Sequence, residues 1–174
     1  MERDQLLINK ITQVYAEAIE EVIEFRGEKT IYITKSALKN VCQLLRDDAD
    51  LQYNFLTDIC ADDMLPDFPR FAINYQLNSL PYNHRIRLRV LVEDPEDGPE
   101  TIGTIWPIAT WLEMEVWDLM GIRFKGNGSL RRLFLPEDWQ GHPLRKDYPL
   151  GYEEVQFSFN FDEIDAKKPY ATRD

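Results

Sequence analysis

Two acidic side chains and a histidine in the second half of the chain are the residues best suited to chemistry. Glu115 and Asp118 are three residues apart, so on a helix they share one face. Together with His142 they could form a general acid–base pair or bind a metal ion. A metal site needs a third protein ligand, which the sequence does not indicate, and His142 lies in a turn setting between Gly141 and Pro143. An enzyme that uses these three residues therefore stays open as the less favoured interpretation.

The same stretch also has a structural interpretation. It is predicted to be a helix that ends at Gly121, and its apolar residues surround the helix axis. They are Ile108, Trp111, Leu112, Met114, Val116, Trp117, Leu119 and Met120. Such a helix is buried, so Glu113, Glu115 and Asp118 need partners inside the protein or at an interface. We predict that carboxylate–guanidinium pairs hold the downstream segment on this helix. The candidate arginines are Arg131, Arg132 and Arg145.

The sequence carries no local signature of a bound redox cofactor. Cys42 and Cys60 cannot supply the four thiolates of a typical iron–sulfur cluster or of a four-cysteine zinc site. A glycine-rich stretch at residues 126–131 begins like a dinucleotide-binding fingerprint, but it ends in Arg131 and follows no strand. We therefore predict no cofactor in this chain, and we expect both cysteines to be buried in the core.

Composition and charge exclude several classes of protein. Of the 174 residues, 31 are acidic and 20 are basic, which gives a formal net charge of −11. This charge repels phosphate backbones and no long basic tract occurs, so nucleic acid is not a predicted partner. No apolar run approaches the ~18 residues of a membrane-spanning helix, and the acidic start is unlike a signal peptide. With 44% apolar residues, the chain is predicted to form a compact soluble domain.

Helical spacing of apolar residues predicts two helices near the start of the chain. The first covers residues 7–22, and Gly27 suits its C-terminus. The second covers residues 38–45, and its N-cap candidates are Thr34 and Ser36.

Strand-like segments accompany these helices. Residues 30–33 are β-branched or aromatic, and two-residue alternation predicts further strands at residues 53–59, 71–77 and 85–93. The acidic stretch 93–100 is predicted to be a solvated loop without a function. Helices before and after an antiparallel run predict an α+β fold, a two-layer sandwich of helices on a mainly antiparallel sheet with an extended C-terminal arm. Whether the arginines of the last strand face a partner or protect a sheet edge stays open. They are Arg85, Arg87 and Arg89.

The chain changes character at residue 122. Residues 122–148 contain repeated glycines and prolines, and six basic residues against three acidic ones. Such a segment cannot build its own core, and its charge is opposite to that of the rest of the chain. We therefore predict a globular domain at residues 1–121 and an extended partner-docking segment and tail at residues 122–174. Three phenylalanines in the tail alternate as on one face of a strand, and we expect them to lie along a partner. They are Phe157, Phe159 and Phe161.

Three motifs resemble the family of the C subunit of bacterial NADH:quinone oxidoreductase, which is respiratory complex I. They are the last helix with its Gly121-Ile122 exit, the step at residues 130–132, and above all the run Asp-Trp-x-Gly-His-Pro-Leu-Arg-Lys-Asp-Tyr-Pro at residues 138–149. The family usually has arginine in place of Met114, which leaves more of the carboxylate pairing to the downstream arginines. It also usually has Gly-His-Pro at residues 126–128, where the difference changes only a turn.

The resemblance implies a cofactor-free structural subunit in the hydrophilic arm of complex I. This complex passes electrons from NADH through FMN and iron–sulfur clusters to quinone, and it couples the transfer to proton translocation. The chain itself would then catalyse no step, because FMN and the clusters lie in partner subunits. Its neighbours would be the B and D subunits, which form the quinone site. NADH, quinone and the membrane would be met only through the complex, on the cytoplasmic side of the cell inner membrane.

The residues expected to serve docking, or to hold the docking segment in place, lie on the last helix and after it. They are Glu113, Glu115, Asp118, Arg131, Arg132, His142, Arg145, Lys146, Asp147 and Tyr148. Two alternatives stay open beside complex I. The first is an equivalent scaffold subunit in a related membrane-bound hydrogenase or in an oxidoreductase fed by ferredoxin or reduced deazaflavin. The second is the free-standing enzyme with Glu115, Asp118 and His142.

Overall fold

The computed structural model describes residues 2–148 of the chain. Within them lie three α-helices, five β-strands and one 3₁₀ turn, Pro95–Asp97. In chain order the helices and strands are α1 Glu2–Val14, β1 Ile19–Phe25, β2 Glu28–Ile33, α2 Leu38–Asp47, β3 Phe55–Asp63, β4 Phe71–Ser79, β5 His84–Val92 and α3 Ala109–Met120. The predicted strand with Phe157, Phe159 and Phe161 falls outside the described residues.

The five strands form one sheet in the order β1-β2-β5-β4-β3. Neighbouring strands are antiparallel except β2 and β5, which run parallel. In β5, alternate residues from Ile86 to Val92 are buried, as the two-residue period predicted. The predicted α+β class, with helices on a mainly antiparallel sheet, is confirmed.

One hydrophobic core lies between this sheet and the three helices. Leu7 and Ile11 of α1 join it, as do Val41 of α2 and Val116 of α3. Beyond α3, two side chains of the predicted docking segment, Ile122 and Phe124, are also buried in this core. The folded body therefore continues at least to Phe124 rather than ending at residue 121.

The prediction of one long first helix is wrong. α1 ends at Val14, and Val22 lies in β1, where it pairs with Ile31 of β2. Gly27 and Arg26, with φ angles of 81° and 53°, form the two-residue turn of this hairpin. Apolar residues four positions apart fit two strand periods as well as one helical turn, so the spacing alone did not separate the two structures.

The capping prediction for α2 is also wrong. α2 begins after Ala37, whose backbone is already helical, and no side chain caps it. Instead, the chain enters the helix through a tight turn, in which the Ala37 N–H donates to the Thr34 backbone carbonyl over 3.0 Å.

A bulge in β3 changes which of its residues face the core. The register with β4 shifts between Leu56 and Asp58, so Leu56 and Ile59 are both buried whereas Phe55 is exposed. Cys60 consequently points away from the core and is exposed, contrary to the prediction, whereas Cys42 is buried as predicted.

Candidate partner-docking site

Asp118 organises the segment that follows α3. Its side chain is fully buried, and one carboxylate oxygen accepts the backbone N–H groups of Leu133, Phe134 and Leu135 over 3.0, 2.8 and 3.1 Å. The other oxygen accepts from Arg132 over 3.0 Å. Burial raises the pKa of Asp118, but these hydrogen bonds outweigh burial and hold that pKa below its ordinary value. A single buried carboxylate therefore fixes the backbone at residues 133–135.

Arg132 connects α3 with the turn at residues 139–141. Its guanidinium also donates to the Asp118 backbone carbonyl over 2.9 Å, and to the carbonyls of Trp139 and Gly141 over 2.8 and 2.9 Å. It lies over the Trp117 ring, with its central carbon 5.5 Å from the ring centroid. The predicted pairing of a helix carboxylate with a downstream arginine is thus confirmed for Asp118 and Arg132.

Residues 142–145 cap the C-terminus of α3. The last carbonyls of a helix have no partner within the helix. Here the Asp118 carbonyl accepts from His142 Nδ1 over 2.9 Å, the Leu119 carbonyl from the Leu144 N–H over 3.1 Å, and the Met120 carbonyl from Arg145 Nε over 2.7 Å. The Gly-His-Pro-Leu-Arg part of the motif therefore completes the helix end.

Gly121 makes this close approach possible. Its φ of 74° is in the left-handed region, and a Cβ atom here would lie 2.2 Å from Arg145 Nη2 and 2.5 Å from His142 Cδ2. The His142 ring also packs edge-on against Trp117, with ring centroids 6.0 Å apart. Burial lowers the pKa of His142, so the neutral ring is favoured and donates its Nδ1 proton to the carbonyl.

The end of the described segment is anchored at one end of β3 and β4. Arg70 donates to Asp147 over 2.7 and 2.9 Å and to Asp63 over 2.8 and 3.1 Å. Asp63 also accepts the Lys146 N–H over 2.8 Å, and the Lys146 ammonium donates to the Leu65 carbonyl over 2.7 Å. The hydrogen bonds from Arg70 hold the pKa of Asp63 well below its usual range.

Tyr148 closes the turn that begins at Gly141. A Cβ atom on Gly141 would lie 2.8 Å from the Tyr148 ring, and the Tyr148 hydroxyl donates to the Gln140 carbonyl over 3.3 Å. The ring thus packs directly on the glycine backbone, which explains a glycine at this point of the motif.

Glu113 has no arginine partner among the described residues, which contradicts our prediction. It is fully buried and accepts from the Thr101 hydroxyl over 2.6 Å, the Ile102 N–H over 2.9 Å and the Asn127 amide over 2.9 Å. Burial raises its pKa, and these bonds oppose the increase. Glu115 is half-buried, and its side chain makes no hydrogen bond or ion pair within residues 2–148.

The acidic loop at residues 93–100, for which the sequence suggested no function, binds the start of the segment. Arg123 forms an ion pair with Glu96 over 2.9 Å, and Lys125 pairs with Asp97. The Arg123 and Lys125 N–H groups donate to carbonyls of the same loop over 2.8 and 2.9 Å. Several cations of the segment therefore have partners in their own chain, which weakens the case for docking by charge.

Apolar side chains remain exposed around this framework. We call them the docking surface: Ile108, Trp111, Leu133, Phe134 and Leu144. Phe134 is 64% exposed and Trp111 is 50% exposed. Beside Trp111, a groove of about 350 Å³ is lined by Met114, Leu130 and Arg131, and Arg131 has no hydrogen bond or ion pair within residues 2–148. The site thus combines apolar side chains with one unpaired cation.

The geometry does not assemble an acid–base pair from the three candidate residues. The Asp118 carboxylate is occupied by four donors, and His142 contacts the Asp118 backbone rather than its carboxylate. In the part of the chain that the structure describes, no group of three or more His, Cys, Asp or Glu side chains could hold a metal ion. The arrangement is that of a structural clamp.

Comparison with known proteins identifies the family. The sequence model of the protein family described as the respiratory-chain NADH dehydrogenase 30 kDa subunit matches residues 31–154. The chain belongs to this family. The C subunit of NADH-quinone oxidoreductase from Roseiflexus sp. (strain RS-1) is 41% identical over 165 residues, which cover 95% of each chain. The same subunit from Geobacter sulfurreducens is 41% identical over 151 residues, which cover 86% of this chain and 92% of the relative.

A solved structure of a similar protein has the same fold. The trypsin-resistant fragment (1–134) of Nqo5 is 30% identical and superposes with a TM-score of 0.58. The superposition covers 73% of this chain and 98% of the fragment. The family match spans both the sheet from Ile31 onward and the clamp around Asp118, whereas α1 and β1 lie before it.

Proposed function

We propose that the chain is a cofactor-free structural subunit in the hydrophilic arm of NADH:quinone oxidoreductase, and that it binds its neighbours through the docking surface. The observation that carries the proposal is the clamp at Asp118. The buried Asp118 carboxylate fixes the backbone of residues 133–135, whereas the side chains of Leu133 and Phe134 stay exposed. Exposed apolar side chains on a fixed backbone are typical of surfaces that bind other proteins.

The neighbours proposed for this surface are the B and D subunits, which form the quinone site. FMN and iron–sulfur clusters then lie in partner subunits. The chain holds these subunits in a fixed arrangement and catalyses no step. Within residues 2–148, no helix is long and apolar enough to cross a membrane. Attachment to the cytoplasmic side of the cell inner membrane is accordingly proposed to occur through the complex.

Assembly of variants in the native host tests the proposal. Phe134→Ala and Trp111→Ala remove large apolar anchors, so each is expected to weaken incorporation into the complex at least about tenfold, as for central residues of an interface. Native electrophoresis with an antibody against the chain measures the bound and free fractions. Leu80→Ala is the matched control, because Leu80 is 63% exposed on the β4–β5 turn.

The outcome also separates the related complexes. Copurification of an NADH-binding flavin subunit supports NADH:quinone oxidoreductase, whereas copurification of a hydrogenase module supports the hydrogenase alternative. Normal assembly of both Phe134→Ala and Trp111→Ala would contradict docking through this surface.

A further inference from the structure

The hairpin strand β1 forms an uncovered edge of the sheet. It pairs with β2 on one side, and the sheet order places no described strand on its other side. The strand at the opposite edge, β3, has α3 packed against it. Every residue of β1 after Ile19 is exposed, including Val22 and Ile23 at 38% each and Phe25 at 68%. The body thus leaves both faces of this strand in solvent.

The backbone of β1 is suited to pairing with another strand. Residues 21–25 pair with β2 in continuous register, and the register shift lies before them, between Ile19 and Glu21. Because the turn has two residues, the pair that flanks it, Phe25 and Glu28, is hydrogen-bonded across the hairpin. Along an antiparallel ladder, hydrogen-bonded and non-hydrogen-bonded pairs alternate. Val22 and Glu24 therefore direct their N–H and C=O groups to the free edge.

The usual protection of a sheet edge is only partly present. Proline, lysine and bulges discourage pairing at an edge, but residues 21–25 contain neither proline nor a basic residue. The charge comes from glutamates, which are three of the seven residues of β1: Glu20, Glu21 and Glu24.

These glutamates determine which partner fits. Two β1 strands paired with each other would bring like charges together, which is unfavourable, so a second copy of this chain is a poor partner. Glu24 lies 3.5 Å from Lys29, but Glu20 and Glu21 have no ion pair within residues 2–148. A strand with lysine or arginine opposite the glutamates would complement both the charge and the apolar residues Val22, Ile23 and Phe25.

We propose that β1 accepts a strand of another protein that carries basic residues opposite Glu21 and Glu24 and apolar residues opposite Val22, Ile23 and Phe25, and that this strand extends the sheet. β1 contributes no residue to the docking surface. The inference rests on the proposed function in one respect, because the partner strand is sought in the same assembly. Backbone hydrogen bonds along β1 would supply affinity, and the glutamates would supply selectivity.

Site-specific photo-cross-linking in the purified assembly tests this proposal. A photoreactive phenylalanine analogue is placed at Ile23 in one variant of the full chain and at Phe134 in another, and mass spectrometry identifies the captured segments. At Ile23 we expect one segment with lysine or arginine at two positions three residues apart and apolar residues between them. Capture of a second copy, or of an acidic segment, would overturn the proposal.

The two positions separate this inference from the proposed function. Capture at Phe134 without capture at Ile23 contradicts the β1 inference alone, and the reverse contradicts the docking surface alone. A backbone variant adds a second readout. Val22→Pro removes an N–H group that faces the free edge and keeps the bonds to β2, so it should reduce capture at Ile23 at least about tenfold. Val22→Ala is the matched control, and equal capture by Val22→Pro and Val22→Ala would also overturn the proposal.

Discussion

The Asp118 carboxylate holds four hydrogen-bond donors without any contact with water. Asp118→Asn leaves the Arg132 cation without its counter-charge and replaces one acceptor oxygen with a donor. We expect a loss of about 3 kcal/mol in the free energy of unfolding, measured by urea denaturation at neutral pH. Asp138→Asn, at an exposed position, should change it by less than about 0.5 kcal/mol. Equal stability of both variants would show that the clamp contributes nothing.

The raised pKa of Glu113 predicts that the stability from this group falls as pH rises. Its pKa in the folded protein lies above the ordinary 4.5, mainly because it is buried, so the folded state holds the proton more tightly than the unfolded state. Stability from this group therefore falls as pH rises from about 4.5 to the folded pKa. Glu113→Gln does not titrate. The unfolding free energy of Glu113→Gln minus that of the wild type should increase across this range and then level off.

Urea denaturation of both proteins at a series of pH values measures this difference. A difference that stays constant from about pH 4 to about pH 7 would contradict a raised pKa for Glu113. Carboxyls with lowered pKa values, such as Asp118, have the reverse effect. The folded protein loses their contribution to stability as pH falls below their ordinary pKa of 3.8. The two effects are thus separated by pH.

At the residue scale, the sequence predicted an arginine partner for three carboxylates, and only Asp118 has one. Asp118 and Arg132 were predictable because few arginines follow the helix and a buried carboxylate needs a strong donor. The partners of Glu113 were not predictable, since Thr101 and Asn127 are ordinary loop residues with no distinguishing pattern. Hydroxyl and amide donors occur throughout the chain, so the tertiary fold alone selects them.

At the element scale, the junction between α3 and the following segment depends on Gly121. Gly121→Ala places a methyl group at positive φ and against Arg145 and His142, so residues 142–145 must move away from the helix end. We expect a loss of more than about 1 kcal/mol in the unfolding free energy, measured by urea denaturation. Gly128→Ala is the control, because its Cβ meets no atom within 4 Å. Identical effects of the two substitutions would rule out the close approach.

Elements with an unambiguous period were predicted correctly, and elements that need tertiary information were not. The buried alternation of β5 and the apolar stripe of α2 fit one period only. The register of β1 against β2 depends on a turn at Arg26 and Gly27, which resembles a helix terminus in sequence. The bulge in β3 likewise follows from pairing with β4, which the local sequence of β3 does not encode.

At the scale of the whole molecule, the chain is acidic, but most cations of segment 122–148 are bonded within the chain. Of the six basic residues in segment 122–148, only Arg131 has no bond or ion pair within the described residues. The cations of segment 122–148 should therefore contribute little salt dependence to docking. When KCl is raised from about 0.1 to about 0.5 M, the dissociation constant from the complex should increase no more than about fivefold more for the wild type than for Arg131→Gln, the effect of one exposed ion pair. A difference of about a hundredfold between the two proteins would contradict the pairing described.

The location of Asp118 has a consequence for biogenesis. The helix that carries it also supplies Ala109, Val116 and Met120 to the core. A newly made copy that has not yet consolidated its interior consequently lacks the carboxylate position that shapes residues 133–135. In such a copy the backbone at residues 133–135 is not yet fixed, so binding through Leu133 and Phe134 is expected to follow folding of the core.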